Sequence, residues 1–150
     1  MATLVRQLKQ TTLCFRAGES YSSVVQFADD MTRDAKSEKI LARYVAGERV
    51  FGELDQDDGT YDFSDCDLRG AVFSGSWIDA SFRGANLEGA DFSACNVKTC
   101  DFSEAKLAGA TFYGSAIDGA EFDGADLRGT DFETAGAYGY TYGKGELPLH

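Results

Sequence analysis

Acid–base chemistry in this chain would fall to carboxylates, because its 150 residues contain one histidine, His150, at the chain end. No serine, threonine or cysteine therefore has an imidazole neighbour to activate it as a nucleophile. Chain ends are also where side chains are held least firmly. Carboxylates are abundant, but no sequence context marks a pocket that would tune their pKa values. Glycines recur at five-residue intervals rather than as a phosphate-cradling loop between a strand and a helix. The chain is accordingly read as a non-enzyme that uses no cofactor.

Metal and thiol chemistry fare no better. Cys66, Cys95 and Cys100 occupy positions that are otherwise Ala or Ser, which predicts buried free thiols rather than ligands or a disulfide framework. Reduced thiols suit a cytoplasmic address. The acidic run at residues 55–59 lacks the spacing of a calcium-binding loop and the closing Glu. It is read as a loop, and no metal site is assigned.

Charge is the remaining signal. Acidic residues outnumber basic ones 25 to 14, for a net charge of −11. Residues 61–134 hold 14 acidic and 5 basic residues, so most of the excess lies there. A surface of this sign repels nucleic acid and anionic lipid and attracts a basic protein partner. No apolar run is long enough for a membrane span, and residues 1–9 carry no secretory pattern. A soluble, cytoplasmic protein is expected.

What positions these charges is a five-residue repeat over residues 62–132. Phe alternates with Leu, Ile or Val from Phe63, Leu68, Phe73 and Ile78 through to Phe132. A small residue such as Ala71, Ala85 or Cys95 stands two before every centre except the first, Phe63, which has Tyr61 there, and Gly often stands two after. A period of five suits neither an amphipathic helix nor a flat strand. It suits a coil that turns a corner every five residues. The centre and the small residue face inward together, and Gly relieves the corner. Such coils bury their centres only by stacking, at about 4.8 Å.

The units Ala85-Asn86-Leu87-Glu88-Gly89 and Ala125-Asp126-Leu127-Arg128-Gly129 resemble those of the pentapeptide repeat proteins. That resemblance implies an all-β solenoid, a right-handed quadrilateral β-helix with four repeats per coil, in a bacterial-type protein. Folding the centres into four sides predicts a Phe63, Phe82, Phe102, Phe122 pillar opposite a Phe73, Phe92, Phe112, Phe132 pillar. Leu and Ile/Val pillars fill the other two sides. The four-residue step from Ile78 to Phe82 predicts one tightened corner with the later register kept.

The expected organisation is a capping segment at residues 1–50, the β-helix at 51–137 and a tail or cap at 138–150. Residues 11–16 and 21–27 read as strands of a hairpin. Residues 34–46 read as a helix with Asp34 or Ser37 at its start, Gly47 after its end, and Ile40, Leu41, Tyr44 and Val45 on one face. Its role would be to cover the first coil, whose open edge otherwise invites association. Phe51 would be the first centre and Gln56 the next, followed by a two-residue insertion. Beyond Phe132, Ala137, Tyr142 and Leu147 keep the register. Tyr138, Tyr140 and Tyr142 are candidates for a cap over the last coil or for a homodimer interface, as in some quinolone-resistance relatives of the family.

The most acidic side carries Asp62, Asp101, Glu121 and Asp123, with Asp65 and Glu104 at its corners and Ser64, Ser103 and Arg83 completing it. Like charges stacked at strand spacing repel, so solvation alone is a weak explanation for the whole side. An acidic rod also resembles the DNA mimicry attributed to quinolone-resistance pentapeptide proteins, which implies a type II topoisomerase as partner. A toxin neutralised by an immunity protein is the alternative partner, and a structural scaffold a third reading.

Overall fold

The computed structural model describes residues 33–55, 57 and 59–148. The expected hairpin at residues 11–27 and the centre at Gln56 lie outside the described residues. Among the described residues one helix, α1 (Ala35–Val45), precedes a tower of short extended segments. Of these segments, β1 (Tyr61–Asp62), β2 (Ala80–Ser81), β3 (Gly136–Ala137) and β4 (Tyr140–Thr141) are long enough to form strands. Elsewhere each side of the tower contributes a single parallel bridge per coil.

The bridge register reproduces the repeat and its two irregularities. Val50 pairs with Val72 and Asp55 with Trp77, 22 residues on, across the insertion that precedes Phe63. Tyr61 pairs with Ala80, and Asp67, Val72 and Trp77 pair with residues 19 on, across the shortened step after Ile78. From Ser81–Asp101 upward every partner is 20 residues away. The later register is therefore kept, as expected.

Each coil is locked to the next through the centre's own amide. Phe63 N–H donates to the Ser81 carbonyl at 2.8 Å, Phe82 to Asp101 at 2.7 Å and Phe102 to Glu121 at 2.8 Å. Within a coil, the amide three residues past a centre returns to the centre's carbonyl, as from Ala85 to Phe82 at 3.0 Å. The corner residue between them takes the left-handed region whether or not it is Gly. Gly89 has φ +66°, while Asp65, Ala94, Thr99, Glu104 and Thr134 have φ between 53° and 69°. The stacked coils thus impose a conformation that an L residue adopts only at a cost of about 1–2 kcal/mol.

The interior is filled by two aromatic pillars. Phe82 and Phe102 stack at 5.0 Å, as do Phe92 and Phe112, with rings within 6° of parallel. Between pillars the rings meet edge to face, as in Phe92–Phe102 at 5.3 Å and 84°. Both geometries suit the aromatic quadrupole. Phe51 joins the Phe73 pillar at 5.8 Å, as expected for the first centre. Leu68, Leu87, Leu107 and Val97 are fully buried on the remaining sides.

The lower end is closed by α1. Asp34 caps the helix by accepting the Ser37 amide at 2.9 Å, and the Ser37 hydroxyl donates to Asp34 at 2.6 Å. That same hydroxyl accepts the Asp62 amide at 2.8 Å. It replaces the carbonyl that a lower coil would have supplied, as Ala80 does for Asp101. Ile40 and Leu41 are buried, but Val45 is 56% exposed, contrary to the expected face. Residues 45–50 are all exposed, so the helix has left the coil by its last residue.

Two further expectations are corrected. Cys66, buried at the lower end of the tower, is disulfide-bonded rather than a free thiol. Cys95 and Cys100, higher up, are free and buried, and their thiols reach the Phe73 and Ile78 carbonyls of the coil below. Burial pushes them up to about 11 and about 12. At the upper end, Tyr142 and Leu147 do not continue the coil. Tyr138 and Gly139, at φ 50° and 81°, form a two-residue hairpin turn that reverses the chain, pairing Ala137 with Tyr140. Tyr142 comes to lie 6.3 Å from Phe132 and acts as a lid on that pillar, while Leu147 is 39% exposed.

Replacing Phe102 by Ala is expected to lower unfolding free energy by about 3–5 kcal/mol in a denaturant titration; a loss below about 1 would displace it from the pillar. Gly89→Ala should cost about 1 kcal/mol through backbone strain alone, since the added methyl meets no atom within 4 Å. Ala94→Gly, at an exposed left-handed corner, should not destabilise; equal losses in both variants would contradict the imposed corner geometry.

Candidate functional site

Stacking brings the acidic residues together as one side of the tower. Asp62 lies under Ser81, Ser81 under Asp101 and Asp101 under Glu121 in a single column. Ser64, Arg83, Ser103 and Asp123 follow the centres of the same side, and Asp65 and Glu104 stand at its corners. Ser103, expected outward, is only 3% exposed.

The Asp residues of the column do local work first. Asp62 accepts the Ser64 amide at 3.0 Å and Asp101 the Ser103 amide at 2.8 Å, each holding the entry to a corner. The same bond recurs on the opposite side, from the Ser93 amide to Asp91 and from the Glu133 amide to Asp131. Asx turns of this kind explain why Asp and Asn precede so many centres. Glu121 holds that position with a longer side chain and stays exposed. Glu104 and Asp123 are exposed as well.

Counter-charge is scarce here. Arg83 reaches up from the coil below, 3.8 Å from Asp101 and hydrogen-bonded to Glu104. Arg33 stands 3.6 Å from Asp62 and donates to the Ser64 carbonyl at 2.6 Å. The upper half, with Asp101, Glu104, Glu121 and Asp123, is the most negative surface. The Leu side contrasts with it. There Arg69 grips Asp67 and Arg128 grips Asp126, each through two hydrogen bonds of 2.6–2.9 Å. The Arg128 guanidinium holds the Asp126 carboxyl at about 2, and Arg69 lowers Asp67. Charge on that side sums to zero, and the Asp67–Arg69 and Asp126–Arg128 repeats pair theirs internally.

The candidate cap or dimer residues divide. Tyr142 is half-buried as a lid, whereas Tyr138 is 81% and Tyr140 53% exposed. Trp77, 55% exposed at an outward position, drew no attention in the sequence, although its place one residue before a centre predicts that it points outward. Among the described residues no group of three His, Cys, Asp or Glu side chains could hold a metal ion. None of their helices is long and apolar enough to cross a membrane.

Titration followed by carboxyl NMR should place Asp126 near 2, and Arg128→Ala should return it to the ordinary carboxylate range. A folded value below the unfolded one means that the pair adds stability above the unfolded pKa and loses it as pH falls towards 2. An unchanged Asp126 midpoint in the variant would refute the pairing.

The sequence profile described as "Pentapeptide repeat region" matches residues 59–132. Among curated protein sequences none matches the chain. Solved structures do. HetL, a pentapeptide repeat protein involved in heterocyst differentiation regulation in the cyanobacterium Nostoc sp. strain PCC 7120, is 28% identical with a TM-score of 0.51. The match covers 55% of this chain and 39% of HetL, so the chain spans about two fifths of that relative's length. The pentapeptide repeat protein alr5209, also from Nostoc, is 25% identical with a TM-score of 0.51, over 77% of this chain and 88% of that one. QnrB1, a plasmid-mediated fluoroquinolone resistance protein, is 25% identical over 47% of this chain and 37% of its own, with a TM-score of 0.32. The repeat, its profile and the four-sided stacking agree: the chain belongs to the pentapeptide repeat proteins and folds as their right-handed quadrilateral β-helix.

Proposed function

We propose that this protein is a non-enzymatic binding module whose acidic side docks into a basic groove of a protein partner, in the manner of a DNA mimic. The observation that carries this reading is the column in which Glu121 stands directly on Asp101, with Glu104 and Asp123 beside it. Two unit charges about 5 Å apart repel by roughly 1 kcal/mol even in water. Solubility alone does not require charge to be concentrated so, since the Leu side solvates an equally regular surface with neutral pairs. A straight, stiff face of carboxylates presents what a nucleic-acid groove is built to receive. The best-fitting partner class is a type II topoisomerase, whose DNA path is a basic groove. A toxin neutralised by tight binding is the second reading, favoured by the exposed Tyr138 and Tyr140 at the opposite kind of surface, an aromatic end.

Binding to an immobilised bacterial type II topoisomerase should be strong at low salt and lost as salt is raised. The quadruple variant Asp62→Asn, Asp101→Asn, Glu121→Lys, Asp123→Lys, which keeps a side-chain oxygen for the Ser64 and Ser103 amides, should not bind while keeping its circular dichroism and melting temperature. Binding that survives the four substitutions sinks the acidic-side reading. Binding lost instead on Tyr138→Ala and Tyr140→Ala, and indifferent to salt, would favour the aromatic end.

A further inference from the structure

The side carrying Ile78, Val97 and Ile117 holds a feature that the acidic-side reading leaves unused. Its outward column runs Asp55, Trp77, Asn96, Ala116, Gly136, each paired to the next by a parallel bridge. Side-chain size falls steadily up this column from Trp77. The chain's only tryptophan is thus 55% exposed beneath a floor of small residues. At the top, an open cleft is lined by Gly114, Ala116, Asp118, Thr134 and Gly136 and walled by the hairpin at residues 137–141. Tyr138, 81% exposed, stands at that end. The two aromatics therefore bracket a shallow trough three coils long, about 14 Å at strand spacing, the length of four or five extended residues.

The border of the trough is negative. Asp55 lies directly below Trp77 and Asp79 two residues beyond it. Lys98, the cation on this side, is already paired with Asp118 at 3.2 Å. A broad indole face among carboxylates favours a guanidinium, which stacks on the ring while its edge reaches oxygen. Exposed tryptophans are also the commonest energetic anchors of protein interfaces.

We propose that this trough is a docking site for an extended, arginine-bearing peptide segment of a partner protein, with a guanidinium on Trp77 and the following residues over Ala116 towards Tyr138. This side shares a corner with the acidic one, so one partner can engage both, but the inference rests on the indole, the column and the cleft rather than on the acidic stack.

Trp77 reports its own site. Titrating the full chain with a hexa-arginine peptide should change the tryptophan emission, with hexa-lysine weaker and hexa-glutamate inert. Calorimetry should show hexa-arginine about tenfold weaker on Trp77→Ala. Ala116→Arg, which sets a cation on the floor, should remove the emission change while melting normally. The quadruple variant of the acidic side should keep it, which separates this site from that reading. Unchanged emission together with unchanged affinity in Trp77→Ala overturns the proposal. So does a response that survives Ala116→Arg or disappears only in the quadruple variant.

Discussion

The vertical register between coils is the constraint on which the rest of this structure depends. Each centre's amide reaches the carbonyl of the residue preceding the next centre on its side, as from Phe82 to Asp101. The spacing of these bonds places every residue over its equivalent one coil below. In the core, like therefore stands on like. Phe rings fall into face-to-face stacks near 5 Å, and the two Phe pillars mesh edge to face. The same rule operates outside, where it sets Asp101 beneath Glu121 and leaves Trp77 beneath Asn96. A repeat that packs its core well has no independent means of spreading its surface charge.

A filled interior confines function to the outer faces and the two ends. The ends are solved differently. Below, a single buried hydroxyl, Ser37, stands in for the missing coil and links the helix cap to Asp62. Above, the chain reverses through a tight hairpin and lays Tyr142 over Phe132. Both devices supply backbone partners or apolar cover that a longer tower would draw from its next coil.

The sides are electrostatically unequal for a local reason. On the Leu side Arg69 and Arg128 sit two residues after an Asp and fold back onto it. On the acidic side the equivalent positions hold Ser64, Ser103 and Asp123, so no such return is available. Arg83 alone fills that position with a cation, and it serves the coil above. The result is an acidic face beside a Leu side whose Asp67 and Asp126 are paired within their own repeats.

Most of the fold was legible in the residues alone. The five-residue period determines which side chains point inward, because parity along an extended segment is a local property. Pillar membership, the insertion before Phe63, the short step after Ile78 and the columns of the acidic side all followed from counting. What counting did not reach depends on groups distant in the chain. The exposure of Val45 and the hairpin that withdrew Tyr142 from register are decided by packing at ends where the repeat stops. The pairing of Arg83 with Glu104 spans 21 residues, and only stacking brings the two within reach. The sequence by itself determined where carboxylates and aromatics stand on the tower. The tertiary structure alone decided which of them are neutralised and which remain open, because that depends on what lies one coil away.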